Sequence, residues 1–513
     1  MRMLTRWIAV LAILVATPAV AEWRQVRTGH FLLTIDGSEE AAREFATRLE
    51  RFDAALRRLY NVADNPDQRA RPINIYALRM DQFMQSCGCS YGTLGFYDPR
   101  AEGSIIYAMY LPDVDRKAKT GGWSSQVLLL HEYSHHFMFS NFPIAYPFWF
   151  SEGFAEFNAT ATFEADGSVI IGAPANYRAE ALRDERISIK KLLDPEHFGY
   201  VANVDLLYGR GWLLTHYLIL DPHRSGQLST YLTAMNNGAA SMAAAQSAFG
   251  DLKALDAELD AYQRGRLGAP LRISPTAALG DVTVTTLSPG QGEMMAVHLL
   301  AMRGIAKDYR LGPALKAAKI ARRYPDDAVV QEQSAELQFL AGRLDEAEAA
   351  VDRALALQPG MIDALDRKGL IALRRAADAK ASDPAVWTAA RGWFLKANHL
   401  DPNRVMPLYL YYTSFTTAKA KPTPGAIKAL MRAEVLAPES TGIRMALARQ
   451  MLLDDRAPAA RDLLQPIAFA PHSPRDHNVQ RQIIDLIDAG KLDEAKALIT
   501  KGDEDDSVRS AGG

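Results

Sequence analysis

Two histidines with three residues between them, and a glutamate directly after the first, stand together in His131-Glu132-Tyr133-Ser134-His135 of a chain that has 11 histidines in 513 residues. The apolar run Val127-Leu128-Leu129-Leu130 ahead of them, and Phe137 and Phe139 behind, predict a buried helix. Side chains four apart on a helix lie one above the other, so His131 and His135 can offer two imidazole nitrogens to one metal ion. Glu132, one step round the helix, reaches a water at the ion's open position without being a ligand. Two histidines leave a catalytic ion one protein ligand short. Glu152 is the supplier, on a second apolar helix that follows the turn at Pro143 and Pro147. The set predicts hydrolysis by a metal-activated water.

The segment Trp149-Phe150-Ser151-Glu152-Gly153-Phe154-Ala155 strengthens that reading. Together with H-E-x-x-H it resembles the gluzincin zinc metallopeptidases, in the peptidase-MA-like branch related to the large zinc aminopeptidases. In that family the third ligand is the glutamate of an N-E-G-F-A-like segment, and here Ser151 stands where the asparagine would be. Sixteen residues separate His135 from Glu152, slightly fewer than the aminopeptidases use, which predicts a tighter connecting loop. The resemblance implies Zn2+ held by His131, His135 and Glu152, with Glu132 taking a proton from the attacking water and delivering it to the leaving amine. Leu207-Tyr208-Gly209-Arg210-Gly211 resembles the aminopeptidase Y-x-K-G segment. On that likeness Tyr208 donates a hydrogen bond to the oxyanion, with Arg210 at the lysine position; the alternative is a tyrosine packed at a helix start. Glu156, one turn after Glu152, orients a ligand or makes a structural ion pair. His136 and His216 point away from the ligand face.

These groups need a scaffold. His30-Phe31-Leu32-Leu33-Thr34-Ile35 reads as a strand, residues 39–60 as a helix with Phe45, Leu49, Phe52, Leu56 and Leu59 on one face, and 73–78 and 104–110 as further strands. By resemblance the 104–110 strand is the sheet edge that receives substrate by strand addition; a plain core strand is the alternative. The G-x-M-E-N element of the aminopeptidases, whose glutamate grips a free amino group, has no counterpart in 103–110. That favours an endopeptidase over N-terminal trimming. The fold class expected is therefore α+β: a gluzincin-type domain of small mixed sheet and helical subdomain, followed by an all-α solenoid.

The solenoid is read from repeats. Residues 328–359 fit the tetratricopeptide pattern, with Ala335 at the close-packed position, Gly342-Arg343-Leu344-Asp345-Glu346-Ala347 at the turn, then Ala354 and Pro359. Unit-ending prolines fall at Pro325, Pro359, Pro402, Pro438 and Pro471, with the longest unit carrying an extra segment at 376–384. A partial unit follows at 484–499. Such arrays offer a concave surface, here for a peptide or protein partner.

Residues 1–21 have Arg2 and Arg6, an apolar core and Ala19-Val20-Ala21, the layout of a cleaved signal peptide, which predicts a periplasmic or secreted protein with no stable membrane span afterwards. Its loss would move the net charge from −2 to −4, and neither value suggests nucleic acid. Cys87 and Cys89 form a tight bridge, a local loop feature, or a second metal or redox site. The organisation expected is signal peptide 1–21, metallopeptidase domain 22–268, connector 269–292, repeats 293–502 and a disordered tail 503–513. The function expected is an exported zinc metallopeptidase whose repeats bind protein or peptide partners. Two alternatives are a latent tetratricopeptide scaffold and a zinc hydrolase of a non-peptide substrate.

Overall fold

The computed structural model describes residues 22–88, 93–115, 123–184, 186–193, 204–274, 280–469 and 478–510. The expected signal peptide, Cys89, Pro275 and Pro471 lie outside these residues.

Among the described residues nine strands build two sheets. In chain order they are β1 (Trp23–Arg27), β2 (Phe31–Asp36), β3 (Ile73–Leu78), β4 (Gly95–Asp98), β5 (Ile105–Met109), β6 (Thr162–Phe163), β7 (Val169–Ile171), β8 (Leu271–Ile273) and β9 (Thr283–Thr286). The larger sheet has the order β4-β5-β3-β2-β1-β9 and the smaller β6-β7-β8. The larger is mixed: β2, β3 and β5 run parallel, while β4, β1 and β9 run antiparallel to their neighbours. Parallel neighbours need crossovers. The first is helix Glu39–Leu59, capped by Ser38 accepting from the Ala41 amide and closed by Arg57 and Arg58 in its last turn. Its buried face, Ala42, Ala46, Leu49, Phe52 and Leu56, meets Val26, Phe31, Leu33 and Ile75 in the main core.

Two expectations change here. The 104–110 segment forms β5 in the interior of the sheet, and the edge is β4, which the sequence reading passed over. The 269–292 segment, expected as a connector with a short strand at 281–287, carries that strand and a second one before it. Its strand β8 pairs with β7 and its strand β9 closes the open side of β1, so this stretch completes both sheets. The cause is the same in each case: an unpaired strand leaves a row of backbone amides and carbonyls unsatisfied, and the chain supplies another strand to cover it.

From Pro289 the described residues are a succession of helices, joined as far as Phe469 by short turns that fold each helix back on the last, and they give a repeat-like array. Small residues let the helices close up. Ala335, Ala347 and Ala354 are fully buried, and a Cβ on Gly369 would lie 2.5 Å from the Phe394 ring. The extra residues of the long unit go into two longer helices, Ile362–Asp378 and Pro384–Leu400, rather than a separate insert. The last helix, Leu492–Ser510, runs through most of the tail expected to be disordered.

The array does not stand apart. Its first helix, Pro289–Arg303, covers the second face of the large sheet through Met295 and Leu299, and Tyr107 donates to the Leu299 carbonyl at 3.0 Å. Farther along, Arg71 donates to the Leu436 carbonyl at 2.6 Å, Arg432 to Asp67 at 2.9 Å, and Gln465 to the Asn236 carbonyl at 2.8 Å. Part of the array's surface is therefore taken up by the chain itself.

Candidate metal centre

Helix Ser125–Asn141 starts at Ser124, whose hydroxyl accepts from the Val127 amide, and is buried on nearly every side. It sets His131 and His135 one turn apart with ring centroids 4.9 Å distant. After the turn at Pro143 and Pro147, helix Phe148–Ala159 brings Glu152 to them, its side chain only 1% exposed. The three sequence-predicted ligands come together. His131 Nε2 lies 3.2 Å from His135 Nε2 and 3.3 Å from Glu152 Oε2, and His135 Nε2 lies 3.5 Å from Glu152 Oε2. A tetrahedral ion bound at about 2.0–2.1 Å spaces its donors about 3.3 Å apart. The three donor atoms stand at that spacing, so these residues could hold a metal ion.

Each histidine is aimed from behind. His131 Nδ1 lies 3.3 Å from Glu156 Oε1, and His135 Nδ1 lies 3.4 Å from the Ser151 hydroxyl. Such partners fix the ring orientation and the tautomer of a ligating imidazole. Glu156 meets both sequence readings at once, because Arg178 Nη2 also donates to its Oε1 at 2.6 Å. Arg178, itself buried, pairs with Asp205 as well and lies between two rings, 4.8 Å from Trp123 and 5.0 Å from Tyr208.

The carboxylates govern the protonation of the site. Burial alone would lower the His131 imidazole, but bonds to Glu152 and Glu156 and the charge of Glu132 push it up to about 10. A proton held that tightly takes the place of a positive ion among the carboxylates. Burial would raise Glu156, yet His131 and Arg178 hold it down at about 2. Tyr208 packs its ring 5.9 Å from His131, tilted by 22°. Burial, then the charges of Glu152, Glu132 and Glu156, hold its hydroxyl well above the ordinary 10, so it remains a protonated donor.

Tyr208 arrives there through a close helix crossing. A Cβ on Gly153 would lie 2.3 Å from Thr215 Oγ1 and 2.5 Å from the Gly211 carbonyl oxygen, and one on Gly211 would lie 2.6 Å from the Trp149 carbonyl. Only glycines allow helix Phe148–Ala159 and helix Val204–Leu220 to approach this closely. Arg210 pairs with Asp256 at 2.9 Å and Asp260 at 2.8 Å, tying its helix to Leu252–Arg264. His136 bonds Tyr97 and His216 bonds Tyr262 and the Gly172 carbonyl, away from the ligand face as expected.

Glu132 faces the edge strand. A Cβ on Gly95 of β4 would stand 3.1 Å from Glu132 Oε1, so the bare backbone there lets strand and carboxylate lie against each other. Arg178, Trp123 and β4 are not marked in the sequence, and neither is the contact of Ser151 with His135. The available signal for Arg178 was indirect: a glutamate on an apolar helix requires a buried cation somewhere.

The comparisons with known proteins add little. No protein-family model matches the chain, and no curated protein matches it. Among solved structures, yeast Tom70 is similar at 14% identity and a TM-score of 0.26, over 57% of this chain and 61% of that one. A likeness at that level carries no conclusion about fold or activity.

Proposed function

We propose that the chain is a zinc-dependent hydrolase of the gluzincin type acting on peptide bonds. The observation that carries this reading is the convergence of His131 Nε2, His135 Nε2 and Glu152 Oε2 at 3.2 to 3.5 Å, with Glu132 one step away and turned to a sheet edge. Two imidazoles and one carboxylate suit zinc better than calcium or magnesium, which prefer all-oxygen sets. Bound there, zinc would supply a Lewis acid and a water acidic enough to lose a proton near neutral pH.

The remaining chemistry belongs to the side chains. Glu132 accepts the proton of the attacking water and passes it to the departing amine nitrogen. Tyr208, kept protonated by burial and then by the charges of Glu152, Glu132 and Glu156, donates to the oxygen on which negative charge develops. Glu156 and Ser151 hold the two imidazoles in place, and Arg178 keeps Glu156 charged. The open side of β4 offers backbone groups that can align an extended peptide by strand addition beside Glu132.

The test is zinc content and cleavage of an unbiased peptide library by the wild type and by Glu132→Gln. About one zinc per chain, with cleavage reduced on the order of 10²- to 10⁴-fold in the variant and zinc retained, supports the proposal. Internal cuts identify an endopeptidase. Zinc without cleavage turns the reading towards a latent scaffold or a non-peptide substrate, and a chain that binds no zinc overturns it.

A further inference from the structure

We propose that Glu439, in the turn between array helices Pro424–Leu436 and Thr441–Leu453, is a positioning residue that holds the edge strand β4 in register against the histidine helix. The inference rests on the hydrolase reading for its functional consequence, though not for its structural content.

Glu439 is 7% exposed and belongs to the array, yet its partners belong to the sheet. Its Oε1 accepts from the Ser104 hydroxyl at 2.8 Å, and the Arg71 guanidinium stands 3.5 Å away. Ser104 in turn accepts from the Tyr97 hydroxyl at 3.5 Å, and that hydroxyl lies 3.3 Å from His136 Nδ1. Four side chains thus link the array to β4 and β4 to the helix that carries His131 and His135. Ala101, in the turn between β4 and β5, packs against the apolar cluster of the same part of the array.

The link acts at a specific point. Gly95 and Tyr97 are two apart in β4 and share one face of the strand. Glu132 and His136 are four apart and share one face of the helix. Gly95 lies against Glu132 and Tyr97 bonds His136, so strand and helix meet at two matched steps. Whatever shifts Tyr97 also shifts the backbone beside Glu132. Glu439 fixes the Tyr97 end from outside the domain, through a polar junction. A cavity of about 80 Å³ adjoins it, lined in part by Arg71, Ser104, His136 and Glu439. Removing the Glu439 carboxylate there opens space to water more than it unpacks a core.

The test uses the full chain loaded with zinc. Amide hydrogen exchange over residues 93–100, zinc content, and steady-state cleavage of an internally quenched peptide library are measured for wild type, Glu439→Ala, Glu439→Gln and Ser104→Ala. Glu439→Ala and Ser104→Ala are expected to speed β4 exchange about tenfold, with exchange in the array helices and zinc stoichiometry unchanged. KM should rise several-fold while kcat stays near the wild-type value. Glu439→Gln keeps an acceptor for Ser104 and should restore most of both. Unchanged β4 exchange in the two alanine variants overturns the proposal, as does faster exchange with no change in KM. Should Glu439→Ala fail to fold, Ser104→Ala decides alone. A wild type that cleaves no peptide defeats the hydrolase reading, and exchange at β4 still decides whether Glu439 holds the strand.

Discussion

Gly153→Ala puts the helix crossing to the test, because helix propensity and packing predict opposite signs. Alanine is favoured over glycine by about 1 kcal/mol in a helix interior, so propensity alone predicts a gain. The structure predicts a loss. The new methyl would start 2.3 Å from Thr215 Oγ1 and 2.5 Å from the Gly211 carbonyl, and ordinary contact begins near 3.4 Å. The second neighbour is backbone and cannot turn aside, so the helices must part by about 1 Å. Overpacking of this kind typically costs about 1–3 kcal/mol, which corresponds to a fall of roughly 3–10 °C in the melting temperature. Activity should suffer more than stability. Tyr208 rides on the displaced helix, and a misplacement of about 1 Å can cost on the order of 10²-fold in rate. The assay is a thermal melt by circular dichroism with zinc content and library cleavage on the same samples. Gly392→Ala is the control: that glycine is helical with nothing near its Cβ position, so alanine there should leave the melt unchanged or slightly raised. A Gly153→Ala chain that melts within about 1 °C of wild type, with cleavage intact, would show that the crossing is not the tight contact described and would refute the reasoning.

Other outcomes follow from the same geometry. Glu156→Gln, which weakens the hold on His131 Nδ1 and leaves Arg178 without its buried carboxylate, should reduce zinc affinity roughly 10- to 100-fold, read by competition with a chromophoric chelator. Tyr208→Phe should keep zinc and lower kcat on the order of 10²- to 10³-fold, and a variant cleaving at the wild-type rate would leave the tyrosine a packing role only. His30→Gln tests a pH effect away from the metal. Burial lowers the His30 imidazole, but Glu50 and Asp53 raise it above 6.5 overall. Glu50 is held low: burial opposes this, and the bond to His30 and that of Thr28 prevail. A raised histidine contributes stability that is complete below about pH 6.5 and fades as pH rises through its folded value, while the Glu50 contribution is lost only as pH falls below about 4.5. His30→Gln should therefore lower the melt more at pH 5.5 than at pH 9, by an amount reflecting roughly 1.5–3 kcal/mol for a charge-assisted bond. Equal losses at both values would contradict it.

How much of this was legible beforehand depends on whether the information is local. His131, His135 and Glu132 are one helical turn, and the turn dictates their juxtaposition. Glu152 was within reach because an apolar helix after two prolines has little choice but to fold back. The array announced itself through small residues at helix-pair spacing. Arg178 carries no pattern: it ends a single 3-10 turn, Asn176–Arg178, and what makes it matter is a carboxylate 22 residues earlier in the chain. The order of strands is likewise non-local. Residues 104–110 have the composition of a core strand, and only the short Gly95-Phe96-Tyr97-Asp98 pairing outside it turns 105–109 into an interior strand. Glu439 stands in a turn between two repeat helices, where no local pattern marks it. Its role exists only because the array curves back on the sheet.

The pairing of β1 with β9 has a consequence for how the protein is made. The first strand of the domain, Trp23–Arg27, receives its outer neighbour from Thr283–Thr286, about 250 residues later. At a synthesis rate of about 5–20 residues per second, β1 waits roughly 15–50 s with one side unpaired. Over that interval its exposed amides and carbonyls are a template for any other extended chain nearby. A chain truncated between residues 268 and 283, however natural that boundary looks in the sequence, would preserve the nascent state rather than the finished domain, and it should aggregate where the full chain does not.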